Sequence, residues 1–274
     1  MSTRGPWRTS ASLLALGFAA VVAVACPSAR AGASADDTIV REVMELSGLN
    51  AQLERVPTVV DASIAAKRAE INPADWAALR DASAQAFQPL VLQDAVFRAF
   101  SEEAASEYWP AVRQWLRSSV AIHLIQLEIR SSTAFARDEI KAEQAREADK
   151  PPEPERLSLL ERIARATFTT ELALQTRFAL TRGLLATMPE DKRPADSELY
   201  ASIRSHEPEI RQELMNDWVH IYRDVPLEDL RSYADFLDSD AGQWFNTLAM
   251  RAVTRALAEA SVRIGTELAE PGKG

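Results

Sequence analysis

The chain has 274 residues, 47% hydrophobic and 26% charged, with one cysteine, nine glycines and a formal charge of −9. Its 40 acidic residues outnumber 31 basic ones, which argues against nucleic acid or an anionic membrane surface as partner, since both call for clustered Lys and Arg. A single thiol also excludes an internal disulfide framework, so stability has to come from a buried core.

Residues 1–31 read as an export signal peptide. Arg4 and Arg8 form a basic start, Ala11 to Ala25 an apolar run, Pro27 a break, and Ala29-Arg30-Ala31 the small residues of a cleavage site. The run of about 15 residues falls short of the ~20 that span a bilayer core. No later stretch is long and apolar enough, so the expectation is an exported, periplasmic protein with no transmembrane segment in its mature form. Ala23-Val24-Ala25-Cys26 offers a second cut that loosely fits a lipobox, with Ala23 where Leu is usual. Used there, Cys26 is lipidated and anchors the chain to the envelope. Cleavage after Ala31 removes Arg4, Arg8 and Arg30, leaving 28 basic residues against 40 acidic, a charge of −12.

Beyond the leader, Ala, Leu, Glu, Arg and Gln dominate and glycine is sparse, which predicts an all-α fold. A first helix starts near Asp37, carries Ile39, Val40, Val43 and Leu46, and stops about Gly48. A second runs from Leu49 toward Ile71 with Leu53, Val56, Val60 and Ile64 on one side, bent by Pro57. Asn72-Pro73 caps a third through Trp76 and Leu79. Pro89 opens a fourth with Leu92, Val96 and Phe100 inward, and Ser101-Glu102-Glu103 restarts the chain toward Trp115. After Ser119, Val120, Leu124 and Leu127 share a face beside Ile122, Ile125 and Ile129. The charged and Pro-rich stretch 141–156 reads as a linker. A helix from Leu157 to about Met188 presents Leu160, Ile163, Phe168, Leu172 and Leu180. Further helices begin at Ala195-Asp196, Pro208 and Val225-Pro226. The last runs from about Asp240 to Ile264, with Met250, Val253, Leu257, Ala260 and Ile264 in one stripe and Trp244 and Leu248 on a second face.

Much of this pattern is written twice, about 121 residues apart. Trp109 to Arg130 aligns without a gap on Leu230 to Arg251: Val112 meets Tyr233, Trp115 meets Phe236, Leu116 meets Leu237, Ser118 meets Ser239, Leu124 meets Phe245 and Ile129 meets Met250. The expectation is a helical bundle of two similar halves, residues 32–140 and 157–270, joined by the linker.

The run Leu227-Glu228-Asp229-Leu230, followed by Tyr233-Ala234-Asp235-Phe236-Leu237-Asp238-Ser239-Asp240-Ala241-Gly242, resembles the signature of bacterial domain of unknown function 2059. The match covers about residues 207–265, with Leu230, Tyr233, Phe236, Leu237, Ser239, Gly242 and Trp244 as its motif positions. The resemblance implies a helical, exported protein and carries no chemistry. In the earlier copy Ala121 replaces Gly242 and Arg117-Ser118-Ser119 replaces Asp238-Ser239-Asp240. Ser239 or Asp240 suits a helix cap, and Gly242 a close approach of another backbone.

No catalytic, cofactor or metal constellation emerges. His123 sits among apolar residues and His206 follows a helix end. Asp217-x-x-His220 is one imperfect element where a di-iron bundle needs two, plus further glutamates. The clusters Glu102, Glu103, Glu107 and Glu207, Glu209, Glu213 suit helix starts. The reading is therefore a non-enzymatic interaction or assembly factor whose partner is an envelope protein. Two alternatives stand beside it: a carrier of an apolar small molecule or lipid between the halves, and an enzyme of unfamiliar type near Asp217 and His220.

Overall fold

Asn72 shows how the chain converts sequence into helix: its side-chain oxygen accepts from the backbone N–H of Ala74 and Asp75, at 3.0 and 2.9 Å, and Pro73 supplies the first helical φ. A computed structural model of the protein describes residues 35–69, 71–131, 152–186 and 190–269, with Met188 and single positions between 133 and 146. The leader, Cys26 and part of the 141–156 linker lie outside them. All regular structure among the described residues is helical, and no helix there is long and apolar enough to cross a membrane.

In chain order the helices are α1 (Ala35–Leu46), α2 (Leu49–Leu53), α3 (Val56–Ala66), α4 (Pro73–Ala86), α5 (Pro89–Ser101), α6 (Trp109–Leu116) and α7 (Ser119–Ser131). There follow α8 (Pro154–Ala166), α9 (Thr169–Leu185), a short 3-10 turn (Glu190–Lys192), α10 (Asp196–Arg204), α11 (Glu207–Ile221), α12 (Leu227–Asp238) and α13 (Asp240–Ala269).

Three expected helices differ. The one drawn from Leu49 to Ile71 is two, because the chain turns at Glu54-Arg55 and Pro57 sits in the first turn of α3, where its missing N–H costs nothing. The restart placed at Ser101 comes at Trp109-Pro110, since residues 102–108 form turns. The helix drawn from Leu157 to Met188 breaks at Phe168, which takes a left-handed φ of 53°. Thr167 Oγ1 there donates to Ile163 O at 2.9 Å and lies 2.7 Å from Thr169 Oγ1, fixing the corner from both sides.

The helices fall into two consecutive series, α1–α7 and α8–α13. In the first, α1 packs on α2, α5 and α6, α2 on α5, α3 on α4, and α6 on α7. In the second, α8 packs on α9, α11 and α12, α9 on α10 and α11, and α12 on α13. Gly48 and Phe168 are the only described residues with left-handed φ, and each joins the first two elements of its series. Ser118 Oγ accepts from Ala121 N at 3.1 Å before α7, and Ser239 Oγ accepts from Gly242 N at 3.2 Å before α13.

The last helix of each series packs on the other. α7 lies on α11 and α12, while α13 lies on α4, α5 and α6. Accordingly Leu124 of α7 is buried with Leu160, Ile163, Trp218, Tyr222 and Leu230. Phe245, Leu248, Val253 and Leu257 of α13 are buried with Val40, Leu79, Leu92, Val96 and Phe100. Each such side chain contributes ~2 kcal/mol by leaving water, so neither series keeps its core without the other's terminal helix. Small residues let α13 cross α9 closely: Ser261 Oγ donates to Ala179 O at 2.5 Å, and a Cβ on Gly183 would lie 3.0 Å from Ile264.

Candidate functional site

The motif positions of the second half build a corner and a core. Leu230, Tyr233 and Leu237 are buried on α12. Ser239, and not Asp240, caps α13, and its hydroxyl also donates to Phe236 O at 2.5 Å. A Cβ on Gly242 would sit 2.0 Å from Phe236 O, so this corner has room only for glycine. Asn246 ties the turn down by donating to Gly242 O at 2.8 Å. Trp244 packs edge-on to Trp109, their ring centroids 4.9 Å apart.

Phe236 stacks on Trp115, its partner in the aligned halves, at 4.8 Å and 10°. A cavity of about 20 Å³ lies beside this stack, lined by both members of further aligned pairs: Leu116 with Leu237, Leu124 with Phe245 and Ile125 with Asn246. That volume holds about one water molecule.

Glu128, on the α7 face that enters the second series, is 7% exposed. Tyr222 donates its hydroxyl to Oε1, while Oε2 has no hydrogen-bond partner among the described residues. Burial raises the Glu128 carboxyl from 4.5 to about 8, against the opposing pull of the Tyr222 hydrogen bond. Tyr222 and Tyr233 are pushed well above the usual tyrosine value by burial, then by the Glu128 charge. Arg156 fixes the corner after α11 by donating to Tyr222 O and Val225 O at 2.7 and 2.8 Å. Nothing in the sequence singled Glu128 out. Helical spacing does put it on the apolar face of α7 with Ala121, Leu124 and Ile125, and α7's crossing into the other series buries that face.

The residues considered for chemistry are dispersed. Asp217 accepts from Gln144 Nε2 at 3.0 Å, while His220 is half-buried on the same helix. His123 is exposed, as is His206, whose Nδ1 lies 3.1 Å from Ser202 O. Glu102 and Glu103 pair with Arg255 and Arg251 at 3.2 and 3.0 Å. Glu207 pairs with Arg204 and Arg211 at 3.4 and 2.9 Å.

A groove of about 970 Å³ opens between the α8–α9 corner and the α10–α11 corner. Ala164, Phe168, Pro208 and Met215 give it apolar surface, and Arg165, Arg204 and Arg211 line it with Glu161, Glu171 and Glu207. Glu171 is held by Tyr200 Oη at 2.9 Å and Gln175 Nε2 at 2.8 Å. Arg165 has no ion-pair partner among the described residues. In the first series side chains bridge the corresponding crevice: Arg41 lies over the Phe97 ring at 4.2 Å, and Gln93 Nε2 donates to Asn50 O at 3.5 Å.

No protein-family model matches this chain, and no curated protein or solved structure does either.

Proposed function

We propose that this protein is an exported, non-enzymatic interaction factor of the cell envelope, built from two similar helical halves, that receives a segment of a partner protein in the α8–α11 groove. The observation that carries the reading is the groove itself. It is open in the second series, and at its edge Phe168 holds a backbone conformation that costs a non-glycine residue about 1–2 kcal/mol. Strain of this kind persists only where the surrounding structure holds it, and it clusters at binding sites. The fitting partner is an amphipathic segment whose apolar side chain meets Phe168 and Met215 while a carboxylate meets Arg165.

Export is supported by the leader pattern of residues 1–31 and by the resemblance of residues 207–265 to domain of unknown function 2059. Two-copy construction is supported by the parallel packing of the two helix series and by the Trp115–Phe236 stack. The apolar-carrier alternative draws no support from the roughly 20 Å³ beside that stack.

The test is site-directed photocrosslinking in the native host, with a photoreactive residue at Gln212 in the groove and, separately, at exposed Leu90 on α5. The expected result is a defined adduct from Gln212 that is absent from Leu90 and lost on adding Phe168→Asp. Equal labelling from both positions, or none from Gln212, refutes the groove as the docking site.

A further inference from the structure

We infer that the joint where α7 crosses into the second series is a proton-operated latch, held shut while Glu128 carries its proton and released as Glu128 gives it up. Leu124, on the same α7 face, is buried with Leu160, Ile163, Trp218 and Leu230, so the carboxyl enters an apolar layer. One of its oxygens accepts from Tyr222, and the other has no hydrogen-bond partner among the described residues. The neutral acid suits such a place. The carboxylate does not, because a buried charge without a cation beside it is penalised by the loss of water.

The charged groups around α7 have other partners. On α6, Arg113 and Arg117 hold Glu42. α12 brings Tyr233, whose proton is held by burial and then by the Glu128 charge, while its Arg231, Asp235 and Asp238 pair with α8 at the surface. From α11 come half-buried His220 and Asp217, which accepts from Gln144, and Tyr222 follows at its end. Arg156 of α8 donates to the Tyr222 and Val225 carbonyls, and Arg55 of the α2–α3 turn to Ile129 O at 2.8 Å. Burial therefore dominates and raises Glu128 to about 8. Opening the joint returns the carboxyl to water and frees its proton. The open fraction is thus constant below about pH 4.5, rises about tenfold per pH unit from there to about 8, and then levels off. The reciprocal crossing has no such group: Ala249 of α13 stands in the aligned place, and the buried polar residues Asn246 and Ser261 do not ionise. None of this depends on the groove.

Hydrogen exchange of the full chain, read by mass spectrometry, tests the latch. α7 has 13 residues, and a helix that short is marginal in water once its packing is gone, so its amides exchange when the joint opens. After correction for the chemical exchange rate, residues 119–131 should gain about tenfold per pH unit between about pH 5 and 7.5. They should also exchange faster than α5, which stays packed on α13. Glu128→Gln should remove the extra pH dependence. Tyr222→Phe loses the hydrogen bond but keeps the carboxyl, and should retain it. The latch is refuted if α7 of the natural chain shows no extra dependence, or if it exchanges no faster than α5, since the proton is then released only by unfolding of the whole chain. Persistence of the dependence in Glu128→Gln, or its loss in Tyr222→Phe, overturns it equally.

Discussion

Replacing Glu128 with Gln should change how stability depends on pH more than it changes the fold. The carboxyl is buried between α7 and the α11–α12 corner, and burial holds its proton on up to about pH 8, against 4.5 for an unhindered carboxyl. The folded state therefore keeps a proton that the unfolded chain releases. For a group raised in this way, the stabilising proton is fully retained in both states below pH 4.5, and stability drains away as pH climbs toward 8. The slope is about 1.4 kcal/mol per pH unit, so at pH 7 the natural chain has lost roughly 3 kcal/mol relative to pH 4 through this one group. Gln has no proton to lose, its carbonyl still accepts from Tyr222, and its amide takes the place of the protonated Oε2, which has no partner among the described residues. Urea unfolding followed by circular dichroism between pH 5 and 8 measures both chains. The stability gap between variant and natural protein should widen in favour of Gln by roughly 3 kcal/mol across that window. Parallel pH profiles for the two chains would falsify the assignment of a buried, protonated Glu128.

The corners and the helix exchange supply further expectations. Gly242→Ala should cost roughly 3 kcal/mol or more, because its Cβ would lie 2.0 Å from Phe236 O, whereas Ala121→Gly at the matching turn should cost only about 1 kcal/mol; thermal melts separate the two. Ser239→Ala and Ser118→Ala each remove a cap and should lower stability by about 1 kcal/mol, and no change in either would mean that the hydroxyls do not satisfy those amides. Phe168→Gly relieves the left-handed backbone but loses the ring's packing, so its melting temperature should barely move while crosslinking from Gln212 falls. A protease site inserted between residues 146 and 152 should leave two fragments that co-elute after cleavage, since α7 and α13 are each buried in the other series; separate elution in native buffer would contradict the exchanged packing.

What was legible in the sequence is what neighbouring residues decide. Asn72-Pro73 predicted a capped helix start, and Leu92, Val96 and Phe100 predicted a buried face that is wholly inaccessible to solvent. The pairing of Trp115 with Phe236 came from the same apolar spacing, although the alignment alone did not say that the two rings touch. The break at Phe168 escaped because Thr167-Phe168-Thr169 contains neither Gly nor Pro; two threonine hydroxyls hold the turn that glycine makes at position 48. Glu128 and the groove escaped for another reason. Glu128 shares the apolar face of α7 with Ala121, Leu124 and Ile125, but what covers that face is set by the helix crossing from one series to the other, and the groove by which crevice has bridging side chains. Both are properties of assembled surfaces, and period-3.6 patterning reports only which face of a helix is apolar.

Comparing the two series separates what the fold demands from what it merely tolerates. A left-handed link after the first helix, a serine cap before the last helix and an exchanged terminal helix occur in both. The buried carboxyl and the open groove are not required. At the place of Glu128 in the aligned halves stands Ala249, fully buried with nothing to satisfy, and where Glu161 and Met215 line an open groove the first series sets Arg41 against Phe97. Both departures raise the folding free energy, one by desolvating a carboxyl and the other by leaving apolar surface wet beside a strained Phe168. Both also meet α11, at its two ends: Tyr222 just after it donates to Glu128 of α7, and Glu207 with Pro208 lines the groove at its start. A protein that needed only to fold has a cheaper solution for each within its own chain. On the proposed reading of the groove, substitutions at its α11 edge, at Gln212 and Met215, should alter partner capture before they alter folding.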